Sequence, residues 1–484
     1  MARMMPLLRH ASWAIKLIGA VIVVLLLDIQ PNWKPLRDDW QIIRSSSGFT
    51  EESYNAINDA YARQPWNADW AESAGFAALA VGDYAAAQTA LQHTAAVKRW
   101  TPELHIALGD AYHGLDDEEK AVAEWELALP DRFSDPSLLI KLAVVYEAQG
   151  RFPEAVTVLR TLVAIQPDNA FAQYRFGVLL SVVDPPAAPA HLALAAGLDE
   201  SVQPFAESLN QAVAAGLDAK DSAYTAGVIG YTLIGLQEYP LAKVSLLSAV
   251  AARPDFAEAY AYLGLAEDRL GNDGLYAYQR ALDLDDGLSL GHYLLGLHYR
   301  NLGDNQAAIP ALKRAFELDP ANAAAAAELG GAYTELDSLE QAESWYIQAV
   351  NVTPQDANFW ILLARFYLDH ELRVDGAGLT AAKKAVEFAP DSSDANDALG
   401  YAYYLNGAFK FAEEYLLKAQ SLEARSARAH FHLGLLYLDT DRPEEARQAL
   451  SAAANLDAGG PIAEAAIRAL AARLGVTPTA TPQP

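Results

Sequence analysis

A small residue, usually preceded by a large apolar one, recurs along the chain at a nearly constant interval. Most of the intervals are 34 residues. The small residue is Gly75, Gly109, Ala143, Gly177, Gly230, Gly264, Gly296, Gly330, Ala364, Gly400 or Gly434. Two helices can approach closely only where the residues that face each other are small. The period therefore predicts a repeated unit of two helices joined by a turn.

Further residues recur at fixed distances from the small one. A tyrosine often follows three residues later, as at Tyr112 and Tyr437, and an alanine twelve residues later, as at Ala121. A proline often closes the unit, as at Pro320 and Pro354, because a helix rarely continues through proline. This pattern closely resembles the tetratricopeptide repeat. The resemblance implies an all-α, right-handed α-solenoid of about ten helix-turn-helix units between residues 68 and 457. The N-terminal sequence separately predicts a transmembrane helix ahead of the solenoid.

The spacing also predicts how the chain is divided. Repeat units are expected at 68–183 and 222–458, and an irregular unit with an inserted helical stretch at 184–221, because the interval from Gly177 to Gly230 is too long. Residues 30–67 are predicted to form a linker and an N-terminal capping helix. Residues 459–475 are predicted to form a C-terminal capping helix, and residues 476–484 a disordered tail.

The N-terminal region has the features of a membrane anchor. The run Leu17–Leu27 is apolar throughout, and with its flanks it gives a candidate span at 11–29, close to the length that crosses a bilayer. Cationic residues precede the run and Asp28 follows it. By the positive-inside rule, residues 1–10 are expected in the cytoplasm and the repeats outside it.

Two alternatives to this topology remain open. A cleaved secretory signal would have a similar basic start and apolar centre, although no small-x-small cleavage site follows Leu27. A tether that leaves the repeats in the cytoplasm would contradict the charge bias. It would make the protein a cytoplasm-facing adaptor or co-chaperone.

Composition excludes several classes of function. The chain has 35 basic and 62 acidic residues and a formal net charge of −27, which disfavours nucleic acid as a partner. It has no cysteine, so disulfides, thiolate metal sites and cysteine nucleophiles are excluded. The sequence contains no phosphate-binding glycine loop and no serine nucleophile elbow. We therefore expect no enzyme activity and no cofactor; an enzyme with an unrecognised site is the less favoured alternative.

The histidines and acidic clusters are not expected to bind metal. His370 and Glu371 begin a zinc-protease pattern, but Val374 stands where the second histidine is needed. Leu294 likewise occupies the position that a calcium loop starting near Asp283 would require for its last carboxylate. Three histidines recur four residues before the small residue, where the resemblance implies core packing: His105, His292 and His430.

Protein binding is the function that the resemblance implies. In this family the first helix of each unit lines a groove that binds extended or helical segments of partners. In the last three units the predicted partner-binding residues are Ile361, Arg365, Leu368, Asp397, Tyr401, Tyr404, Phe431, Leu435 and Leu438. The Lys and Asn clamp of chaperone-binding members is absent, since Asp397 and Tyr401 occupy one such pair of places. The sequence thus predicts a membrane-tethered scaffold, and by analogy with the fold a role in envelope assembly, secretion or surface-polymer export.

Overall fold

The computed structural model describes residues 51–475. Within this range the chain forms 25 α-helices and no β-strand. The predicted anchor at 11–29 and tail at 476–484 lie outside the described residues, as does most of the predicted linker. Among the helices that are described, none has the length and apolar character needed to cross a membrane.

The chain divides into two compact units, one ending at Ala219 and the other beginning at Lys220. The first unit contains a single helix, four helix pairs and a further helix. Its helices are α1 (Glu51–Arg63), α2 (Ala68–Val81), α3 (Tyr84–Val97), α4 (Pro102–His113), α5 (Glu118–Ala128), α6 (Pro136–Ala148), α7 (Phe152–Ile165), α8 (Ala170–Val183), α9 (Ala188–Leu198) and α10 (Gln203–Ala219).

The second unit contains seven helix pairs and a last single helix. Its helices are α11 (Ser222–Gly235), α12 (Tyr239–Ala252), α13 (Ala257–Arg269), α14 (Leu275–Leu284), α15 (Ser289–Asn301), α16 (Asn305–Leu318), α17 (Ala323–Glu335), α18 (Leu339–Val352), α19 (Ala357–Asp369), α20 (Leu379–Phe388), α21 (Ser393–Leu405), α22 (Phe409–Leu422), α23 (Ala427–Asp439), α24 (Pro443–Leu456) and α25 (Pro461–Leu474). Successive first helices of these pairs contact each other directly, from α11 to α25. They form one continuous layer, and the second helix of each pair packs behind it.

The recurring small residues lie where the two helices of a pair cross. A Cβ added to Gly400 would stand 2.6 Å from Cγ of Leu416, and one added to Gly330 would stand 2.8 Å from the ring of Tyr346. Both separations are too short for carbon atoms in contact. Glycine at these places therefore allows the helices to approach, as the sequence predicts.

In most pairs the turn between the two helices contains a left-handed residue seven positions after the small one. Gly303 has φ 75° and Gly407 has φ 72° at this place, whereas Asp337 has φ 54° and Asp441 has φ 58°. Glycine adopts this conformation without the steric cost that a Cβ imposes. The turn has the same geometry in all four pairs, although the residue differs.

Irregular segments occur where the spacing departs from the repeat. A 3₁₀ turn at Pro185–Ala187 replaces the usual turn between α8 and α9, and α10 lies on the predicted inserted stretch. The two additional residues after α19 are accommodated by a π-helical turn at Val374–Gly378, preceded by Arg373 in the left-handed region at φ 44°. Insertions in such turns leave the packing of the pair intact.

Candidate functional site

The nine predicted partner-binding residues lie on three adjacent first helices, α19, α21 and α23. Each of these helices contacts the next one, and α23 also contacts α25. The helices begin with defined caps: side chains of Asp356, Ser392 and Ser426 accept hydrogen bonds from backbone N–H groups of the first turn. This fixes where each helix starts and so which side chains share one face.

Three of the nine residues are buried. Ile361, Leu368 and Asp397 are 5%, 1% and 1% exposed. Ile361 packs with Ala385 and Ala395, so it belongs to the core between two helix pairs. These three side chains cannot touch a partner without rearrangement. These three residues can act only indirectly, by positioning the other six.

Asp397 is held by a histidine from the next helix pair. Oδ1 of Asp397 lies 2.8 Å from Nδ1 of His432, which is 4% exposed. A carboxylate oxygen accepts, so the imidazole donates through Nδ1–H. Oδ2 of Asp397 is buried and has no hydrogen-bond partner among the described residues. The pair therefore links α21 to α23 through one buried hydrogen bond.

An aromatic ladder rises from this pair toward the surface; we define it as Tyr401, Tyr404 and Phe409. Tyr401 is stacked on His432 with ring centroids 3.8 Å apart and planes inclined by 4°. The centroid of Tyr404 lies 5.9 Å from that of Tyr401, and the centroid of Phe409 lies 6.1 Å from that of Tyr404. Phe409 is 37% exposed. The ladder leads from the core to the turn between α21 and α22.

Burial changes the acidity of the ladder tyrosines. Desolvation, followed by the negative charge of Asp369, raises the pKa of Tyr401 to about 12. Desolvation also raises the pKa of Tyr404, and its hydroxyl donates a hydrogen bond of 2.6 Å to Oδ2 of Asp439. That bond, together with one from Arg473, lowers the pKa of Asp439. Both phenols are neutral and Asp439 is ionised at neutral pH.

The arginines on this face are paired with aspartates. Arg365 bonds Asp394 of the neighbouring first helix, and Nη1 of Arg428 lies 3.5 Å from Oδ2 of Asp369. Arg365 was predicted as a charged contact for a partner, but its guanidinium already has an anionic partner. The face therefore presents neutral ion pairs next to aromatic rings, with no free cationic centre at Arg365.

The remaining predicted residues lie partly under the last helix. Phe431 and Leu438 pack against an apolar cluster that includes Leu450 and Leu470, so α25 covers part of α23. Leu435 is half-buried. Six of the nine predicted residues are partly exposed and can contact a partner: Arg365, Tyr401, Tyr404, Phe431, Leu435 and Leu438.

The structure gives a physical reason for the recurring histidines. Nε2 of His292 lies 3.0 Å from the carbonyl oxygen of Asp286, and Nε2 of His430 lies 3.1 Å from that of Ala424. In each case the carbonyl belongs to the residue six positions earlier. Three side chains at the equivalent place in other pairs donate in the same way: Gln173 to Pro167, Trp360 to Pro354 and Asn396 to Pro390, each at 2.8 Å. These side-chain hydrogen bonds connect the first turns of a first helix to the loop that precedes it.

His105 has a different environment. Its Nδ1 lies 2.7 Å from Oε2 of Glu124, and its ring is stacked on Trp100 with centroids 4.5 Å apart. Between residues 51 and 475 there is no group of three histidine or acidic side chains that could hold a metal ion.

Comparison with known families identifies the repeat. Sequence models described as tetratricopeptide repeat match residues 73–137, 138–171, 301–366 and 427–459. The chain contains tetratricopeptide repeats. The matched segments lie in both compact units and correspond to helix pairs of the structure, which confirms the resemblance predicted from the spacing. Proteins built of tetratricopeptide repeats are generally interaction scaffolds.

The curated relatives match less than half of the chain. Tetratricopeptide repeat protein 37 of Xenopus laevis is 28% identical over 215 residues, which are 41% of this chain and 13% of that protein. Superkiller protein 3 of Schizosaccharomyces pombe is 25% identical over 217 residues, which are 43% of this chain and 16% of that protein. The chain thus spans a small part of the length of these relatives.

Some solved structures resemble this chain with low sequence identity. A tetratricopeptide repeat protein from Parabacteroides merdae has 16% identity and a TM-score of 0.41, covering 51% of this chain and 98% of its own. Yeast Tom70 has 17% identity and a TM-score of 0.38, covering 84% and 98%.

Proposed function

We propose that this protein is a non-enzymatic scaffold that binds other proteins through the face of α19, α21 and α23. The observation that carries the proposal is the continuous layer of first helices, on which half-buried aromatic and apolar side chains lie next to neutralised ion pairs. Tyrosine and arginine are the residues that most often dominate binding energy at protein interfaces. A ligand for this face is an extended or helical segment with an apolar surface.

The electrostatics of the face narrow the class of ligand. Arg365 and Arg428 are paired with aspartates, so a strongly acidic segment would have to displace an existing ion pair from each. A segment with few charges meets no such cost, since it buries apolar area against Tyr401 and Leu435. We therefore favour an uncharged apolar segment over an acidic tail.

A membrane tether at 11–29 is the second part of the proposal. It rests on the apolar run and on the charge asymmetry of the N-terminal sequence, which together favour repeats outside the cytoplasm. Restricting a scaffold to the membrane raises its effective concentration toward membrane-bound partners without any additional contact. A role in envelope assembly, secretion or surface-polymer export is the process that fits such a scaffold.

The topology is tested with paired reporters. A reporter active only outside the cytoplasm is fused after Pro484, and a cytoplasm-only reporter is fused in parallel. Each fusion is compared with a variant that starts at Asn32. Activity outside that depends on residues 1–31, with the protein retained in membranes, is the expected result. Activity inside would overturn the orientation and make a cytoplasm-facing adaptor the leading alternative.

The binding face is tested by site-specific crosslinking in cells. A photoreactive amino acid at Leu435 is expected to give discrete crosslinked products, and the added substitution Tyr401→Ala should weaken them. The same amino acid at Tyr276, which is 75% exposed on α14, is the matched control. Equal crosslinking at both positions, or products insensitive to Tyr401→Ala, would argue against a specific site on this face.

A further inference from the structure

The aromatic ladder offers a ligand-binding surface that the first helices alone do not define. Its outer member, Phe409, is the first residue of α22 and is 37% exposed. Tyr404, the middle member, is half-buried and is oriented by its hydrogen bond to Asp439. Successive aromatic rings that each keep part of their surface exposed are the type of surface on which proline-containing extended segments bind.

The described chain ends close to this ladder. Arg473, near the end of α25, donates a hydrogen bond of 2.8 Å to Oδ1 of Asp439, the residue whose other oxygen accepts from Tyr404. Leu474 and Tyr404 also pack against the same apolar cluster. Gly475 then ends the helix in the left-handed conformation. The chain therefore leaves the structure on the side where the ladder lies.

The next nine residues have the composition of a ligand for aromatic rings. Residues 476–484 are Val-Thr-Pro-Thr-Ala-Thr-Pro-Gln-Pro, with three prolines and no charged side chain. An extended polyproline II segment rises about 3.1 Å per residue, so nine residues reach about 28 Å. Adjacent packed helices are about 10 Å apart, so α21 lies about 20 Å from α25 across α23. The segment is long enough to reach the ladder.

We propose that residues 476–484 bind the aromatic ladder of their own chain as an extended, proline-containing segment. Proline rings pack flat on tyrosine and phenylalanine, and the rigidity of proline lowers the entropy lost on binding. The segment brings no charged side chain to a region where Asp439 is already paired with Arg473. Bound there, it occupies one edge of the face proposed above for partners, so it would compete with them.

A disulfide-trapping experiment in the full chain tests the contact, because the chain has no cysteine of its own. Ala480→Cys is combined either with Lys410→Cys or with Glu444→Cys. Lys410 and Glu444 are exposed second residues of α22 and α24, so they are matched positions in consecutive helix pairs. A segment without a binding site would reach Glu444 at least as fast, since α24 is nearer to α25. Binding to the ladder predicts that Lys410→Cys is trapped about tenfold faster.

Two sets of variants identify the cause of any preference. Phe409→Ala, and separately the combined Pro478→Ala, Pro482→Ala and Pro484→Ala, should each bring the ratio of the two trapping rates close to one. Thermal unfolding of each variant confirms that the repeats remain folded. No preference for Lys410→Cys in the unmodified background, or a preference that survives both sets of changes, would overturn the proposal.

A mixing experiment separates the two possible sources of the segment. Chains carrying only Ala480→Cys are mixed with chains carrying only Lys410→Cys. Disulfide-linked dimers at a rate similar to that of the intramolecular product would show that a second copy supplies the segment, and would contradict binding within one chain. The reporter and crosslinking experiments do not depend on this result, so the scaffold proposal can fail or succeed independently.

Discussion

The helix pairs α17/α18 and α21/α22 have the same internal packing but present different faces. Each pair crosses at a glycine that lies against a large side chain sixteen residues later, Tyr346 for Gly330 and Leu416 for Gly400. In both pairs the turn passes through a left-handed residue. The helices therefore meet in the same way, whatever the first helix presents to its neighbours.

The faces differ at equivalent places. Three residues before the glycine, α17 has Ala327 and α21 has Asp397; one residue after it, α17 has Gly331 and α21 has Tyr401. Of the two pairs, only α21/α22 carries the buried hydrogen bond to the next pair and the aromatic ladder. The residues at the helix crossing therefore determine the packing of the repeat. The residues on the face that the first helix presents to its neighbours can vary without changing that packing, so they can determine which ligand binds.

The largest effect is expected when a large side chain replaces the glycine at which the two helices of a pair cross. We expect Gly330→Leu and Gly400→Leu each to lower the free energy of unfolding of their region by about 3 kcal/mol, because the added side chain has no space against Tyr346 or Leu416. Amide hydrogen exchange should show loss of protection in the altered pair and its neighbours only, since each unit contacts only the next. Uniform loss throughout the second unit would contradict this local behaviour.

The control for this prediction is Gly235→Leu. A Cβ at Gly235, the last residue of α11, would meet no atom within 4 Å. The same substitution there should change the unfolding free energy by only about 0.5 kcal/mol. An effect as large as that of Gly330→Leu would mean that close approach at the crossing is not the cause.

The buried pair is the second test, because it exists in only one of the two helix pairs. Asp397→Ala gives α21 the residue that α17 has, and we expect a loss of about 2 kcal/mol, because the N–H of His432 is left without its buried acceptor. Adding His432→Leu should recover part of the loss, so the two changes should be non-additive. Strictly additive losses in urea unfolding would indicate that the two side chains do not interact.

The reverse change gives the matched control. Ala327→Asp places a carboxylate at the equivalent buried position of α17, where Leu362 stands in the place of His432. Because no imidazole is available to donate to it, this substitution should destabilise the protein, and His432→Leu should not alter its effect.

The third test uses the phenol of Tyr404, whose equivalent in α17 is Thr334. Tyr404→Phe removes the hydrogen bond to Asp439 and should cost about 1 kcal/mol at neutral pH. The folded-state pKa of Tyr404 is raised above its usual value, so the native state retains a proton that the unfolded chain releases. Its contribution is therefore complete below a pH of about 10 and is lost as the pH rises above that value.

Alkaline unfolding measures this contribution. As the pH rises from about 9 to about 11, the unfolding free energy of the Tyr404→Phe variant should fall less than that of the unmodified protein. Tyr401→Phe should show the same sign, because the pKa of Tyr401 is raised to about 12. A steeper loss in either variant would show that the phenol does not stabilise the fold in its neutral form.

The architecture was predictable from sequence because it depends on local spacing. Gly330 and Gly400 are readable as crossings from their period alone, and a closing proline such as Pro354 marks where a second helix ends. The structure has a helix, α10, in the segment where the spacing is too long, and a single helix, α25, after the last pair; their roles as an insertion and a cap stay predictions. These features require only that neighbouring segments pack in the same way each time.

The details of the face were not predictable because they depend on contacts between units. The bond of Asp397 with His432 joins residues 35 positions apart in different helix pairs, and no local pattern marks it. Projection along one helix placed Leu368 outward, but the structure buries it. Phe409 was missed because only first helices were projected, although an aromatic residue at the start of α22 after a glycine turn was the available signal.

The smallest expected effect concerns the turn that both pairs share. Asp441 adopts φ 58° at the place where Gly407 adopts φ 72° in the preceding pair. Asp441→Gly should raise the unfolding free energy by about 0.5 kcal/mol, since the relief of steric strain slightly exceeds the larger entropy of glycine in the unfolded chain. Gly407→Asp should lower it by a similar amount, measured by the shift in urea midpoint. A loss of stability in Asp441→Gly would show that the aspartate contributes more to the turn through its side chain than its backbone conformation costs.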